Sequence, residues 1–114
     1  MTYIVTYNEI IGMHRWEKAP KPYKYLASKH RHVFKIRCWF AVNHTDREIE
    51  INAKQHEIES TIKREFNYQD EKGADFDGMS CEMICEYLIE KFGCEKCEVL
   101  EDGFGGAYIG GVAD

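Results

Sequence analysis

The clearest pattern in the chain lies between residues 30 and 43. Phe34, Ile36, Cys38, Phe40 and Val42 alternate there with Lys35, Arg37 and Trp39. A two-residue period of this kind predicts a strand with one buried and one wet face. Residues 2–12 predict an earlier strand, with Tyr3, Val5 and Tyr7 on one face and Ile4 and Thr6 on the other. The segment from Trp16 to about Ala27 reads as a loop, because Pro20 and Pro22 oppose regular structure.

The period then changes. From about Arg47 to Phe66, Ile51, Ile58, Ile62 and Phe66 fall near one stripe among Glu and Lys, which predicts a helix capped by Asp46. Asn67 to Gly78 holds two glycines and four acids and reads as a loop. A second helix opens at Ser80, with Glu82 in its first turn where the helix dipole favours an acid. Cys81, Ile84, Cys85, Leu88, Ile89 and Phe92 keep its apolar stripe, and Gly93 stops it. Lys96–Glu101 and Ala107–Val112 close the chain as two short strands joined by the glycine-rich turn DGFGG. The order ββααββ predicts an α+β fold: a four-stranded antiparallel sheet with two helices on one face.

At 114 residues, the chain has the length of a single domain, 1–114. Its 31% charged and 44% hydrophobic residues exclude wholesale disorder. The opening MTYIVTYNEI lacks a basic-then-apolar leader pattern, and no apolar run approaches a membrane span. The expectation is a cytoplasmic protein without a membrane partner.

Charge is unevenly spread. From His14 to Arg37 there are eight Lys or Arg and one acid, a surplus of +7 in a chain whose total is −5. A cationic loop on an acidic body suits a small anionic ligand better than a nucleic-acid polymer, whose partners are usually basic throughout. A solvated basic loop is the plainer alternative. Cys38, Cys81, Cys85, Cys94 and Cys97 form an odd set and read as reduced thiols. The last four have a spacing open to a four-thiolate metal site, but they continue the apolar faces of a helix and a strand. They therefore read as small buried side chains.

His30 and His32 stand two apart at the head of the best strand, so both side chains leave one face. His14 ends the preceding strand and meets them if the two strands pair. Three neutral imidazoles plus water form a zinc site with an open position. Strand-end histidines without a metal are the alternative, and His56 reads as a solvated helix residue.

The motifs GMHRW, KHRHVFKIRCWFAV, SCEMICEYLIEKF and CEVLEDGFGGAYIG together resemble the 6-pyruvoyl/6-carboxytetrahydropterin synthase family, over about residues 1–112. That resemblance implies zinc at His14, His30 and His32. It also implies a helix start at Ser80 and Glu82, and a glutamate, here Glu101, that holds a pterin or purine ring. It implies the T-fold as well, in which sheets join edge to edge into a closed barrel, so a homo-oligomer is expected, a hexamer or smaller ring. The chain departs from the family at three points. Leu26 stands where the catalytic cysteine belongs, with only Ser28 nearby. No histidine lies in Glu65–Asp70, where an Asp-His pair is expected. HRH replaces His-Gly-His.

The reading is a small-molecule-binding oligomer whose intersubunit pockets take a purine- or pterin-like heterocycle or a nucleotide, at Glu101 with Arg15, Lys29 and Arg31 bordering. Sequestering a nucleotide signal, as a small viral protein does, is one use for such a pocket. The competing reading is a zinc-dependent 6-carboxytetrahydropterin synthase-type lyase with an altered acid/base set.

Overall fold

The structure, a computed structural model, describes residues 1–110. Its elements are β1 (Thr2–His14), a short 3₁₀ turn (Lys24–Ala27), β2 (His30–Val42), α1 (Ile51–Glu65), β3 (Ala74–Asp77), α2 (Cys81–Phe92), β4 (Lys96–Glu101) and β5 (Gly105–Ile109). The class is α+β, as expected. The sheet is not four-stranded and antiparallel, however. It has five strands in the order β3-β1-β2-β4-β5, and β3 runs parallel to β1.

The extra strand lies inside the acid-rich segment read as a loop. Ala74 and Phe76 are buried while Asp75 and Asp77 are exposed, so the two-residue period is present but only four residues long. Asp75 and Asp77 oppose strand propensity. The segment is held from outside: the Asp75 N–H donates to the Phe66 carbonyl, and the Arg15 N–H donates to the Asp77 carbonyl.

β1 and β2 pair antiparallel along their whole length, and β2, β4 and β5 continue the sheet. One face carries Ile10, Phe34, Ile36, Cys38, Phe40, Cys97 and Val99, all buried. Ile58 and Ile62 of α1 and Ile84, Cys85 and Leu88 of α2 complete one core with them. Each such aliphatic or aromatic side chain contributes about 1.5–3 kcal/mol by leaving water. The opposite face keeps Val5, Tyr7 and Tyr108 exposed. Beyond the reach of β3, Gln55 of α1 serves the edge of β1: its side-chain oxygen accepts from the Tyr7 N–H, and its carbonyl accepts from Asn8 Nδ2.

Helix α1 begins later than Arg47, and its cap is Glu50 rather than Asp46. The Glu50 carboxylate accepts from the N–H groups of Asn52 and Ala53. Helix α2 begins as expected, with the Ser80 hydroxyl accepting from the Met83 N–H. The last strand starts two residues earlier than expected, at Gly105, and pairs Glu101 with Gly105. Val112, its expected end, lies outside the described residues. No helix among the described residues is long and apolar enough to cross a membrane.

Two glycines separate strain from crowding. Both are left-handed, Gly73 at φ 78° and Gly93 at φ 73°. A Cβ on Gly93 would meet nothing within 4 Å, whereas one on Gly73 would stand 2.0 Å from the Ile11 carbonyl oxygen. Gly93→Ala should therefore cost only the conformational penalty, about 1–2 kcal/mol. Gly73→Ala should cost about 1–3 kcal/mol more, because β1 and the turn before β3 must separate. Urea unfolding midpoints of the two variants check the order.

Candidate functional site

Strand pairing assembles the three histidines. In the β1–β2 register His14 lies directly opposite His30, and His32 opposite Gly12. All three rings are on the core side of the sheet at its end. Their centroids are 4.7 Å (His14–His30), 5.3 Å (His14–His32) and 5.0 Å (His30–His32) apart. Phe34 floors the cluster, edge-on to His14 at 5.1 Å and to His32 at 5.7 Å.

The tautomers follow from the partners. His14 Nδ1 is 2.9 Å from the Met79 carbonyl oxygen, His30 Nδ1 is 2.9 Å from that of Ser28, and His32 Nδ1 is 2.7 Å from Asp102 Oδ2. A carbonyl or a carboxylate only accepts, so each Nδ1 carries the proton and each neutral ring has its lone pair at Nε2. A metal-binding imidazole needs its far nitrogen held in this way. The donor atoms of the three residues all lie within 4.8 Å of one another. Donors around a tetrahedral zinc stand about 3.3 Å apart, so side-chain shifts on the order of 1 Å bring them onto one ion. His14 Nε2 is buried and makes no hydrogen bond. An orphaned buried acceptor is costly and is relieved by a cation. The group fits a metal ion.

Two carboxylates accompany the imidazoles. Glu101 ends β4 with Oε2 at 3.1 Å from His14 Nε2 and Oε1 at 3.5 Å from His32 Nε2. The Cys81 thiol donates to Glu101 Oε2 at 3.7 Å. Burial first, then the neighbouring carboxylate, push that thiol up to about 12, so it keeps its proton. Asp102 follows in the left-handed conformation at φ 56°, which aspartate tolerates in a turn. Its Oδ1 accepts the Val33 N–H while Oδ2 faces His32. Those two bonds, the backbone one first, hold its carboxyl below the usual carboxylate range. Burial likewise dominates at His14 and lowers its proton affinity, outweighing the Met79 carbonyl and Glu101.

A cleft of about 550 Å³ opens beside the cluster, lined by His14, His30 and Glu101 together with Trp16, Leu26 and Met79. Arg15 also reaches it, though its Nε is paired with Asp77 Oδ1 at 3.1 Å. Lys29 Nζ is held by Asp75 at 3.0 Å and Asp77 at 3.8 Å. Arg31 is exposed and alternates with His30 and His32 along β2, so it projects from the other face. Only Arg15 of the three expected cations therefore joins Glu101, His14 and His30 at the cleft. His56 is exposed on α1.

Asp102 and the Met79 and Ser28 carbonyls were not picked out by sequence reasoning, and Cys81, read there as a small buried side chain, is buried but also stands at the site. Asp102 had a signal: once Phe34 pairs with Glu101, the next residue of the turn falls beside Val33 and His32. The cysteines are all buried and free. Cys81 stands with Glu101, whereas Cys38 and Cys97 face each other at 4.0 Å and Cys85 donates to the Cys97 and Ala107 carbonyls. Cys94 joins Cys38 and Cys97, so Cys81 stands apart and the set Cys81, Cys85, Cys94 and Cys97 is not brought together around the helix. No protein-family model and no curated protein matches this chain.

Two outcomes follow from these contacts. Asp102→Asn should weaken metal binding about 10–100-fold, the usual effect of removing a carboxylate behind a ligating histidine; competition with a chromophoric chelator measures it. In metal-free protein, the proton affinity of His14 is lower folded than unfolded. Its contribution to stability is complete above the unfolded value of about 6.5 and falls as the pH drops below it. Denaturant midpoints taken on either side of that value should show the loss, and His14→Gln should flatten it.

Proposed function

We propose that the chain is a divergent relative of the 6-pyruvoyl/6-carboxytetrahydropterin synthase family. In this reading it binds a purine- or pterin-like heterocycle, or a nucleotide carrying one, beside a zinc ion at His14, His30 and His32. The observation that carries it is the shared cleft: imidazoles with Nε2 lone pairs and the Glu101 carboxylate border the same space of about 550 Å³. That volume suits a small organic ligand.

The side chains divide the work. A carboxylate accepts two hydrogen bonds side by side, which matches the adjacent N–H donors on the edge of guanine or a pterin. Trp16, half exposed at the cleft, offers a face for stacking. Arg15 is the cation nearest a phosphate on such a ligand. Its pair with Asp77 is partly exposed on both sides, and pairs of that kind contribute about 0–1 kcal/mol, so a phosphate can compete for it. A zinc ion here would polarise a ligand atom as a Lewis acid.

Binding is favoured over turnover by the Cys81 thiol. It is the cysteine at the cleft, and with its pKa raised to about 12 it is a poor nucleophile or base at neutral pH. A pocket that holds its ligand without converting it would sequester it. The reading includes a closed homo-oligomer, a hexamer or smaller ring, of cytoplasmic address. Among the described residues β3 and β5 are the outermost strands, whose edges edge-to-edge pairing would cover.

Protein purified without chelator should carry close to one zinc per chain and lose most of it in His32→Ala; negligible zinc would remove the metal from the reading. At saturating zinc, isothermal titration with guanine nucleotides and pterins should show binding. Glu101→Gln should weaken it by about 1–3 kcal/mol, because the amide puts a donor where an acceptor is needed. Unchanged affinity would take Glu101 out of the ring site. Zinc-dependent turnover of dihydroneopterin triphosphate would favour the lyase instead. A monomer in light scattering would exclude the ring.

A further inference from the structure

The carboxylate of Glu101 is aimed at the wrong partners for a protein without a cation. His14 Nδ1 is committed to the Met79 carbonyl and His32 Nδ1 to Asp102. Their Nε2 atoms therefore present lone pairs. Glu101 approaches these lone pairs at 3.1 Å and 3.5 Å with its two oxygens, which are themselves acceptors. Two acceptor–acceptor contacts from one carboxylate are repulsive unless positive charge lies between them. The separations are those of neighbouring donors in a tetrahedral shell, which stand about 3.3 Å apart.

The supports of Glu101 point the same way. The Cys81 thiol donates to Oε2 and fixes the carboxylate without neutralising it. No Lys or Arg forms an ion pair with Glu101 among the described residues; its ion-pair contacts are His14 and His32.

We infer that Glu101 is the fourth ligand of the metal held by His14, His30 and His32, so that the ligand-free site is closed by the protein's own carboxylate. The inference rests on the metal reading above and deepens it. An entering ligand has to displace Glu101 from the ion, and the freed carboxylate then becomes available to the ligand's N–H edge. One residue thus excludes water and stray anions from the metal when the pocket is empty and recognises the ligand when it is full. Ligands with a metal-binding atom but no N–H pair meet the cap and receive no compensation.

The test uses the full chain loaded with zinc or cobalt(II). Glu101→Gln should bind zinc about tenfold more weakly or worse, at least the loss typical of a partner one shell further out. Thiocyanate, a small anion that fills an open metal position, should leave the visible spectrum of the wild-type cobalt form unchanged and alter that of cobalt-loaded Glu101→Gln. Equal zinc affinity in the two proteins, or ready thiocyanate binding by the wild type, overturns the cap and leaves the three-histidine site standing. The wild-type arm decides the question even if Glu101→Gln does not fold. Wild-type protein that takes up neither zinc nor cobalt overturns the metal reading itself, and the cap with it.

Discussion

Everything at the site depends on the register of one strand pair. β1 and β2 run thirteen residues each, and their pairing sets Ile4 against Phe40, Thr6 against Cys38, Asn8 against Ile36 and Ile10 against Phe34 before it brings His14 to His30. A slip of one residue would turn every side chain of β1 to the other face and carry His14 away from the cluster. What forbids the slip is the burial of Phe34, Ile36 and Cys38, a row that starts directly beneath the histidines and runs away from them along β2. The hydrophobic core thus sets the positions of the imidazoles, and the chemistry at the strand ends inherits its precision.

Much of this was legible in the sequence, and the reasons are local. The alternation in residues 30–43, the Ser80 cap and the Gly93 stop are each short-range signals that the tertiary structure does not override. The three histidines could be placed together because a strand period and one assumed pairing suffice. What escaped detection depends on contacts distant in the chain. β3 is a strand because Gly73 lets its approach pass against the Ile11 backbone and because Arg15 and Phe66 bond to it, none of which its own acid-rich sequence announces. Glu50 displaced Asp46 as the helix cap because residues 43–46 and 48–49 form bends instead of a first turn, with Glu48 accepting from the Asn43 N–H.

The electrostatic picture also changes between sequence and structure. A surplus of positive charge from His14 to Arg37 suggested an anion site. In the folded chain Asp75 and Asp77 of β3 take up Lys29 and Arg15, and Arg31 projects from the far face. The groups closest to the imidazoles are carboxylates, Glu101 and Asp102. The innermost part of the site is built to attract a cation, and anion attraction is confined to its rim. On the proposed reading, these two layers of opposite sign would select for a ligand that reaches the ion with a neutral or anionic donor while presenting hydrogen-bond donors to Glu101.

β3 has a further consequence for time rather than for affinity. It is four residues long, lies at the sheet edge and hands the chain to α2 through Met79, whose carbonyl fixes His14. Short edge elements fray at lower free energy than the core they border. Each such opening withdraws the Met79 carbonyl, and His14 is then free to rotate or to move its proton to the other nitrogen. If the site holds the proposed ion, its lifetime would therefore be coupled to the opening rate of a peripheral strand. Residues that hold β3 in place, such as Arg15 and Gly73, would then act on how long the ion stays without ever touching it.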